Sequence, residues 1–288
     1  MSTHSSQVLE RNVSKDLPCF EADLNYLAPM AERPINYTYE PPAGTPRHNG
    51  TYAAQRLPIH NARAIAQDLS LEREGFAFVN HQSVVRDFYN SDEVHRVYYP
   101  EAERLLKEVT GASRVVVFDR NVRNALRAQR GENVKEPVKR VHNDFTAKSG
   151  YSRARIELEA RNIDNYKDLL QQRFAVVNVW RPIAEPVQES PLALCDAQSI
   201  ALTDLVASDL VYRDRVGETY AVTYNPAHQW FYFPQQQRNE VILIKCFDTK
   251  GDGSARFAAH TGFDDPTSPP DASHRESIEL RTLVFYGT

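Results

Sequence analysis

From Arg114 to the C-terminus the chain is a succession of short runs rich in β-branched and aromatic residues: RVVVFD, VKRVHNDF, FAVVNVWRPI, TYAVTYN, QWFYF, EVILIKCF and SIELRTLVFY. Such runs, bounded by turn residues, pack well as strands. Strands in this number, joined by turns and irregular connections, fit a sandwich or jelly roll better than an α/β sheet. Between the run containing His142 and the run starting at Phe174 lies SRARIELEARNIDNYKDLLQQ, which predicts a helical insertion at about 150–172. The fold class is therefore mainly β with helical additions.

The part before Arg114 has a different character. Residues 1 to 60 show little periodicity, and Pro34, Pro41, Pro42, Pro46 and Pro58 predict an extended arm over the body rather than long regular elements. The stretch Arg63 to Val79 predicts a short helix leading into the apolar strand FAFV, with Gly75 as the break. Asn90 or Ser91 can cap a helix beginning DEVHRVYY, and Pro100 opens PEAERLLKEVTG, which Gly111 stops. Arg120, Arg123, Arg127 and Arg130 recur at three to four residues and predict a basic helical stripe, read as a solvated face. No internal repeat divides the chain. The organisation expected is a single catalytic domain, with residues 1–112 as an extended and helical covering and 113–288 as the β core.

A net charge of −4 with interspersed signs gives no electrostatic case for nucleic acid or an anionic membrane. No apolar run approaches the ~20 residues of a spanning helix, and MSTHSSQVLERNVSKD lacks the apolar centre of a signal peptide, so a cytoplasmic location is expected. Cys19, Cys195 and Cys246, odd in number and widely spaced, suit reduced thiols. The partner expected is a small molecule, and a homo-oligomer stays open.

Within VKRVHNDF, His142 and Asp144 form an H-x-D pair. On a strand, residues two apart project from one face, so an imidazole and a carboxylate are aimed at one spot by rigid backbone. A second histidine would complete the two-histidine, one-carboxylate set that holds Fe(II) and leaves positions open for a co-substrate and O₂. His228 in NPAHQWFYF and His260 in ARFAAHTGF compete for that place, whereas His60, His81 and His95 read as solvated or locally bonded. The order of elements favours His260, which follows a buried-looking strand and precedes a strand bearing Arg275. A 2-oxoglutarate co-substrate chelates the metal at one end and presents a carboxylate at the other, which a guanidinium fork binds bidentately, helped by a hydroxyl. Arg275, Ser277, Glu279 and Arg281 share a face of the closing strand. Arg275 with Ser277 is the first choice of anchor and Arg281 the second, with Glu279 as a possible internal partner of either. His228 keeps its claim through Arg238, ten residues beyond it.

The motifs VHNDFT, NVWRPI, PLALCD, YNPAHQWFYFP, EVILIKCFD and HTGFDDP followed by RESIELR resemble, in order, the fungal asaB-type hydroxylase/desaturase family. That family includes gibberellin desaturase-like enzymes and is related to the cephem 7-alpha-methoxylase subunit; the similarity runs from about Leu24 to the C-terminus. The resemblance implies a double-stranded β-helix (jelly-roll) oxygenase of specialised metabolism, using Fe(II), 2-oxoglutarate and O₂ to hydroxylate or desaturate a small metabolite. This chain differs from the commonest superfamily spacing by placing Arg275 fifteen positions after His260. Asn178, Trp180 and Arg181 of NVWRPI, with Tyr224, His228, Trp230 and Tyr232, are the expected pocket wall. Two rival classes remain: a non-catalytic jelly-roll binding protein or regulatory subunit, and a zinc hydrolase using the same three ligands.

Overall fold

The computed structural model describes residues 16–184 and 186–287. The N-terminal stretch in which no leader was expected lies outside them. Strands β1 (Cys19–Leu27), β2 (Ile35–Tyr37), β3 (Tyr52–Asn61) and β4 (Phe76–Asn80) come first. A continuous helical run follows, made of α1 (Ser91–Glu93), a π-helical turn at Val94–Tyr98 and α2 (Tyr99–Thr110). Next are β5 (Arg114–Asn124), α3 (Ala125–Gln129), β6 (His142–Asn143), α4 (Ala147–Ala160) and α5 (Tyr166–Gln171). The remainder is β7 (Phe174–Pro182), β8 (Leu192–Cys195), β9 (Leu205–Val211), β10 (Val216–Val222), β11 (Trp230–Tyr232), β12 (Glu240–Asp248), β13 (His260–Gly262) and β14 (Glu276–Phe285).

These strands form two sheets, one of nine in the order β1-β3-β11-β8-β13-β6-β10-β9-β2 and one of five in the order β4-β12-β7-β14-β5. Alternation along each strand sorts the apolar residues into three layers. Between the sheets, Phe76, Trp180, Ile242 and Ile244 of the smaller sheet pack with Leu192, Leu194 and Phe231 of the larger. On the outer face of the smaller sheet, Val177, Val179, Leu243 and Leu280 meet Ala102, Leu105 and Leu106 of α2. The far face of the larger sheet buries Leu24, Tyr26, Ile59, Trp230 and Ala259. Strand β7 is covered on both faces and is buried at every position, which is why its sequence is almost continuously apolar. The architecture is a double-stranded β-helix. No helix among the described residues is long and apolar enough to cross a membrane.

The helix starts and stops follow their local chemistry. Asn90 caps the helical run, its side chain accepting from the Asp92 and Glu93 amides, and the run stops at Gly111. The insertion is two helices, α4 and α5. At Gly150 an added Cβ would lie 2.5 Å from the Phe247 ring, so only glycine lets α4 settle this close to β12.

Two expectations need correction. The proline-rich N-terminal part is not a covering: β1 and β3 pair over nine residues as an edge of the larger sheet, and β4 is an edge of the smaller one. Pro58 is tolerated because it stands just ahead of the Ile59–Asn61 ladder to β11. The four arginines form no helical stripe either, because β5 runs on to Asn124 and α3 is only five residues long. Arg120 and Arg123 therefore face opposite sides of a strand, and Arg120 reaches the Ser91 hydroxyl at 2.7 Å.

Candidate metal centre and the cavities beside it

The site is built by register. His260 on β13 is paired with His142 on β6 and with Leu194 on β8, while Phe231 on β11 is opposite Leu194. Residues directly opposite in neighbouring strands share a face, so both imidazoles point between the sheets. Their ring centroids are 4.5 Å apart. Asp144, just beyond β6, brings its carboxylate to the same point, and one ligand atom from each of His142, Asp144 and His260 lies within 4.8 Å of the others. The facing sheet supplies the support. Asn178 and Arg281, paired across β7 and β14, donate to Asp144 Oδ2 at 2.6 Å and Oδ1 at 3.0 Å respectively.

The donor set fits a divalent metal. His142 Nδ1 lies 2.7 Å from the Arg140 carbonyl and His260 Nδ1 3.2 Å from the Ala258 carbonyl. A carbonyl oxygen only accepts, so each Nδ1 carries the proton and each Nε2 lone pair is free for a metal. Burial, with His260 alongside, pushes His142 down to about 3, which keeps the imidazole neutral. Burial alone would raise the Asp144 carboxyl, but Arg281, with the hydrogen bond from Asn178, outweighs it and holds it below the usual range. Two imidazole nitrogens and one carboxylate, each oriented by a neighbour, are a donor set that could hold a divalent metal.

Beside the histidines is a small pocket lined by Arg123, His142, Trp180, Leu192, His260, Gly262, Arg275 and Glu279, among others. Arg275 is 3 % exposed, and its guanidinium donates from Nη1 to the Ser190 carbonyl and lies 5.5 Å from the Trp180 ring centroid. Its Nε and the buried Ser277 Oγ have no hydrogen-bond partner among the described residues. Burial, and then Arg123, bring Arg275 down to about 9, with Glu189 and Glu279 acting in the opposite direction. At Gly262 a Cβ would come within 3.2 Å of the Val138 carbonyl and 3.5 Å of Arg275 Nη1, so a side chain there would crowd this pocket. Arg281 is in a different situation. It is already engaged by Asp144 and Asp119, and Glu279 Oε1 lies 3.4 Å from its Nε.

Asp144 and Arg281 also border a second, larger cavity of about 460 Å³. One wall is α4, through Lys148, Ser149, Ser152, Arg153 and Ile156; the other is the β9–β10 hairpin, through Leu210, Tyr212, Val216, Gly217 and Thr219. The helix start is fixed by a reciprocal cap in which Ser149 N donates to Thr146 Oγ1 at 3.0 Å and Thr146 N to Ser149 Oγ at 2.8 Å. Arg33 joins Asp209 of β9 to Glu218 of β10, and Glu218 also accepts from Thr146, so the hairpin is tied to the helix start.

The expected pocket wall divides by strand parity. Asn178 supports Asp144 and Trp180 lines the Arg275 pocket, but Arg181, between β7's inward positions, faces outward. It donates to the His81 carbonyl and packs near the Tyr98 and Phe88 rings. Trp230 pairs with Cys195 and, with Tyr232, occupies the far face of the larger sheet; the residue of that run facing the metal side is Phe231. His228 belongs to the far side too, its Nδ1 2.9 Å from the Tyr26 hydroxyl and its Nε2 3.1 Å from Asp204 Oδ2. Neither ring nitrogen is free, so His228 is not brought to His142 and Asp144. Tyr224 is 41 % exposed and packs edge-on against Tyr26, and Arg238 donates to the Val85 carbonyl. Arg123 and the β9–β10 hairpin were missed. The signal that would have found Arg123 is the alternation of β5, in which positions 119, 121 and 123 oppose inward residues of β14.

Comparison with known proteins agrees with this geometry. A family model described as oxidoreductase/YMDC permease-like domain matches residues 24–285. The alpha-ketoglutarate-dependent dioxygenase phiK of a fungal species is 35 % identical over 230 residues, 77 % of this chain and 81 % of that protein. The hydroxylase/desaturase efuI of Hormonema carpetanum is 30 % identical over 292 residues, covering 93 % and 96 %. A solved structure of the iron and alpha-ketoglutarate-dependent endoperoxidase NvfI superposes with a TM-score of 0.82 at 28 % identity, over 94 % of this chain and 99 % of that one.

Proposed function

The chain belongs to the fungal iron(II)/2-oxoglutarate-dependent dioxygenases, among the hydroxylase/desaturases, and on that premise we propose the roles of its residues in oxidising a small specialised metabolite. The observation that carries the reading is the convergence of His142 Nε2, His260 Nε2 and the Asp144 carboxylate, each oriented by a hydrogen bond. Iron, when bound, would supply the oxidising chemistry that removes hydrogen from a substrate carbon, with O₂ as the oxidant and the keto acid giving up two electrons as it loses CO₂.

The protein's residues position and insulate. His142, Asp144 and His260 hold the metal; Asn178 and Arg281 fix the carboxylate and keep it ionised. Arg275, with Ser277, takes the distal carboxylate of the keto acid, which offsets the burial of a guanidinium that has only one carbonyl partner. The small pocket touches the two histidines and the large cavity touches Asp144. The keto acid would then take the side of the small pocket, which measures about 20 Å³ and would have to open to admit it, and the metabolite the cavity of about 460 Å³, which is of a size for a small molecule. Three free cysteines, two of them buried, suit action in the reducing cytoplasm.

The test is anaerobic addition of Fe(II) and then 2-oxoglutarate to the metal-free protein. A visible charge-transfer band and, once air is admitted, succinate are the expected results. Protein that takes up iron yet develops no band, or that turns over with neither iron nor keto acid, overturns the reading.

A further inference from the structure

The small pocket holds a second guanidinium. Arg123, on β5, stands directly opposite Ser277 on β14, and so shares the inward face that carries Arg275, Ser277 and Glu279. Its Nη1 donates to the Glu136 carbonyl at 2.7 Å, and among the described residues no carboxylate pairs with it. The nearby Glu279 lies 3.4 Å from Arg281 Nε. Lys135, which bridges to Arg123 through the backbone, adds another cation near the pocket and bonds the neutral Asn121 side chain. Two partly or fully buried guanidinium groups thus face one pocket with no carboxylate in contact with either among the described residues, and the one carboxylate that lines the pocket with them, Glu279, is 3.4 Å from Arg281.

Guanidinium groups buried in this way without a carboxylate in contact are unfavourable unless an anion enters between them. We propose that Arg123 is a second charged anchor for the keto-acid co-substrate, acting with Arg275 so that the pocket matches a dicarboxylate. The proposal rests on the reading of this pocket as the keto-acid site. It differs from the assignment of Arg275 in naming a residue from the opposite end of the chain's β core, on the strand bordering β14.

The experiment is anaerobic titration of the Fe(II)-loaded protein with 2-oxoglutarate, following the visible band, on wild type, Arg123→Gln and Arg123→Lys, with iron content and melting temperature measured in parallel. Arg123→Gln should weaken keto-acid binding on the order of tenfold or more, as expected for losing a charge-assisted contact, while iron content stays at the wild-type level. Arg123→Lys, which keeps the charge, should recover most of that loss; a purely structural arginine would show no such rescue. Should the glutamine variant fail to fold, Arg123→Met, which keeps the apolar stem, takes its place. Keto-acid affinity within twofold of wild type in the neutral variant overturns the proposal and leaves the site reading intact. No band in the wild type overturns the site reading itself.

Discussion

Among the described residues, the charge cluster at the end of β12 and the one in the pocket beside the histidines are finished differently. At the end of β12, Lys245 Nζ lies 2.8 Å from Glu72 and 2.9 Å from Asp248, and Arg173 meets the same two carboxylates at 2.7 Å each. Asp248 further accepts from the Lys250 amide at 2.9 Å. Every charge there has a partner in the chain. In the pocket beside the histidines, Arg275 Nε and Ser277 Oγ are buried with no hydrogen bond among the described residues. A cluster that closes on itself holds the fold together, whereas one left open anticipates something that is not protein.

The sharpest break of this comparison is at the metal. Removing a ligand should cut iron occupancy and abolish turnover together, while removing a buried histidine whose nitrogens are both engaged should leave the iron in place. His260→Ala is expected to lose both; His228→Ala should keep iron and lose stability through the orphaned Tyr26 and Asp204 partners. Iron content after reconstitution decides. Iron retained in His260→Ala and lost in His228→Ala would reverse the assignment.

That contrast also shows what the sequence could and could not disclose. The H-x-D spacing, the order strand–histidine–arginine and the alternation of the closing strand are local, and local periodicity survives into the fold. Which residues oppose one another across strands is not local. Trp230 and Tyr232 were expected in the pocket wall, yet pairing with β8 puts Phe231 on the metal side and both of them on the other. Arg120 and Arg123 looked like one helical face because their spacing is three, and became opposite faces once β5 extended through them. The β9 wall of the large cavity escaped notice because LVASDLV has too little β-branched character to stand out, and its pairing with TYAV is what makes it a strand.

A closed and an open cluster should respond oppositely when a cation is removed. Lys245→Met leaves Asp248 buried with one partner fewer, and breaking a buried pair from one side costs about 3–5 kcal/mol. The melting temperature should fall sharply while the 2-oxoglutarate requirement of the folded fraction is unchanged. Arg275→Leu removes a buried charge that has no carboxylate partner, so the keto-acid-free protein should melt no lower than wild type. Its 2-oxoglutarate requirement should rise on the order of ten- to a hundredfold, the worth of about 1.5–3 kcal/mol of charge-assisted contact, with iron retained. Arg275→Leu melting far below wild type with unchanged keto-acid affinity would make that pocket a second structural cluster. Transfer of the affinity loss to Arg281→Leu with iron retained would move the anchor to Arg281.

The smallest effect is in the closed cluster's response to acid. Burial alone would raise the Glu72 carboxyl, but Lys245 and Arg173 outweigh it and bring it from 4.5 down to about 2. The folded value lies below the unfolded one, so on acidification the unfolded chain takes up this proton first. The stability Glu72 contributes is therefore complete above about 4.5 and disappears as the pH falls towards 2. Its side chain is 46 % exposed, so solvent screens the pair and the contribution at neutral pH is about 0–1 kcal/mol. Glu72→Gln should consequently melt slightly below wild type at pH 7, and the two should converge between pH 4.5 and 2 because the variant no longer has this proton to gain. Melting curves of both proteins across that window test it. A difference that stays constant, or widens as the pH falls, would show that Glu72 acts through packing rather than through charge.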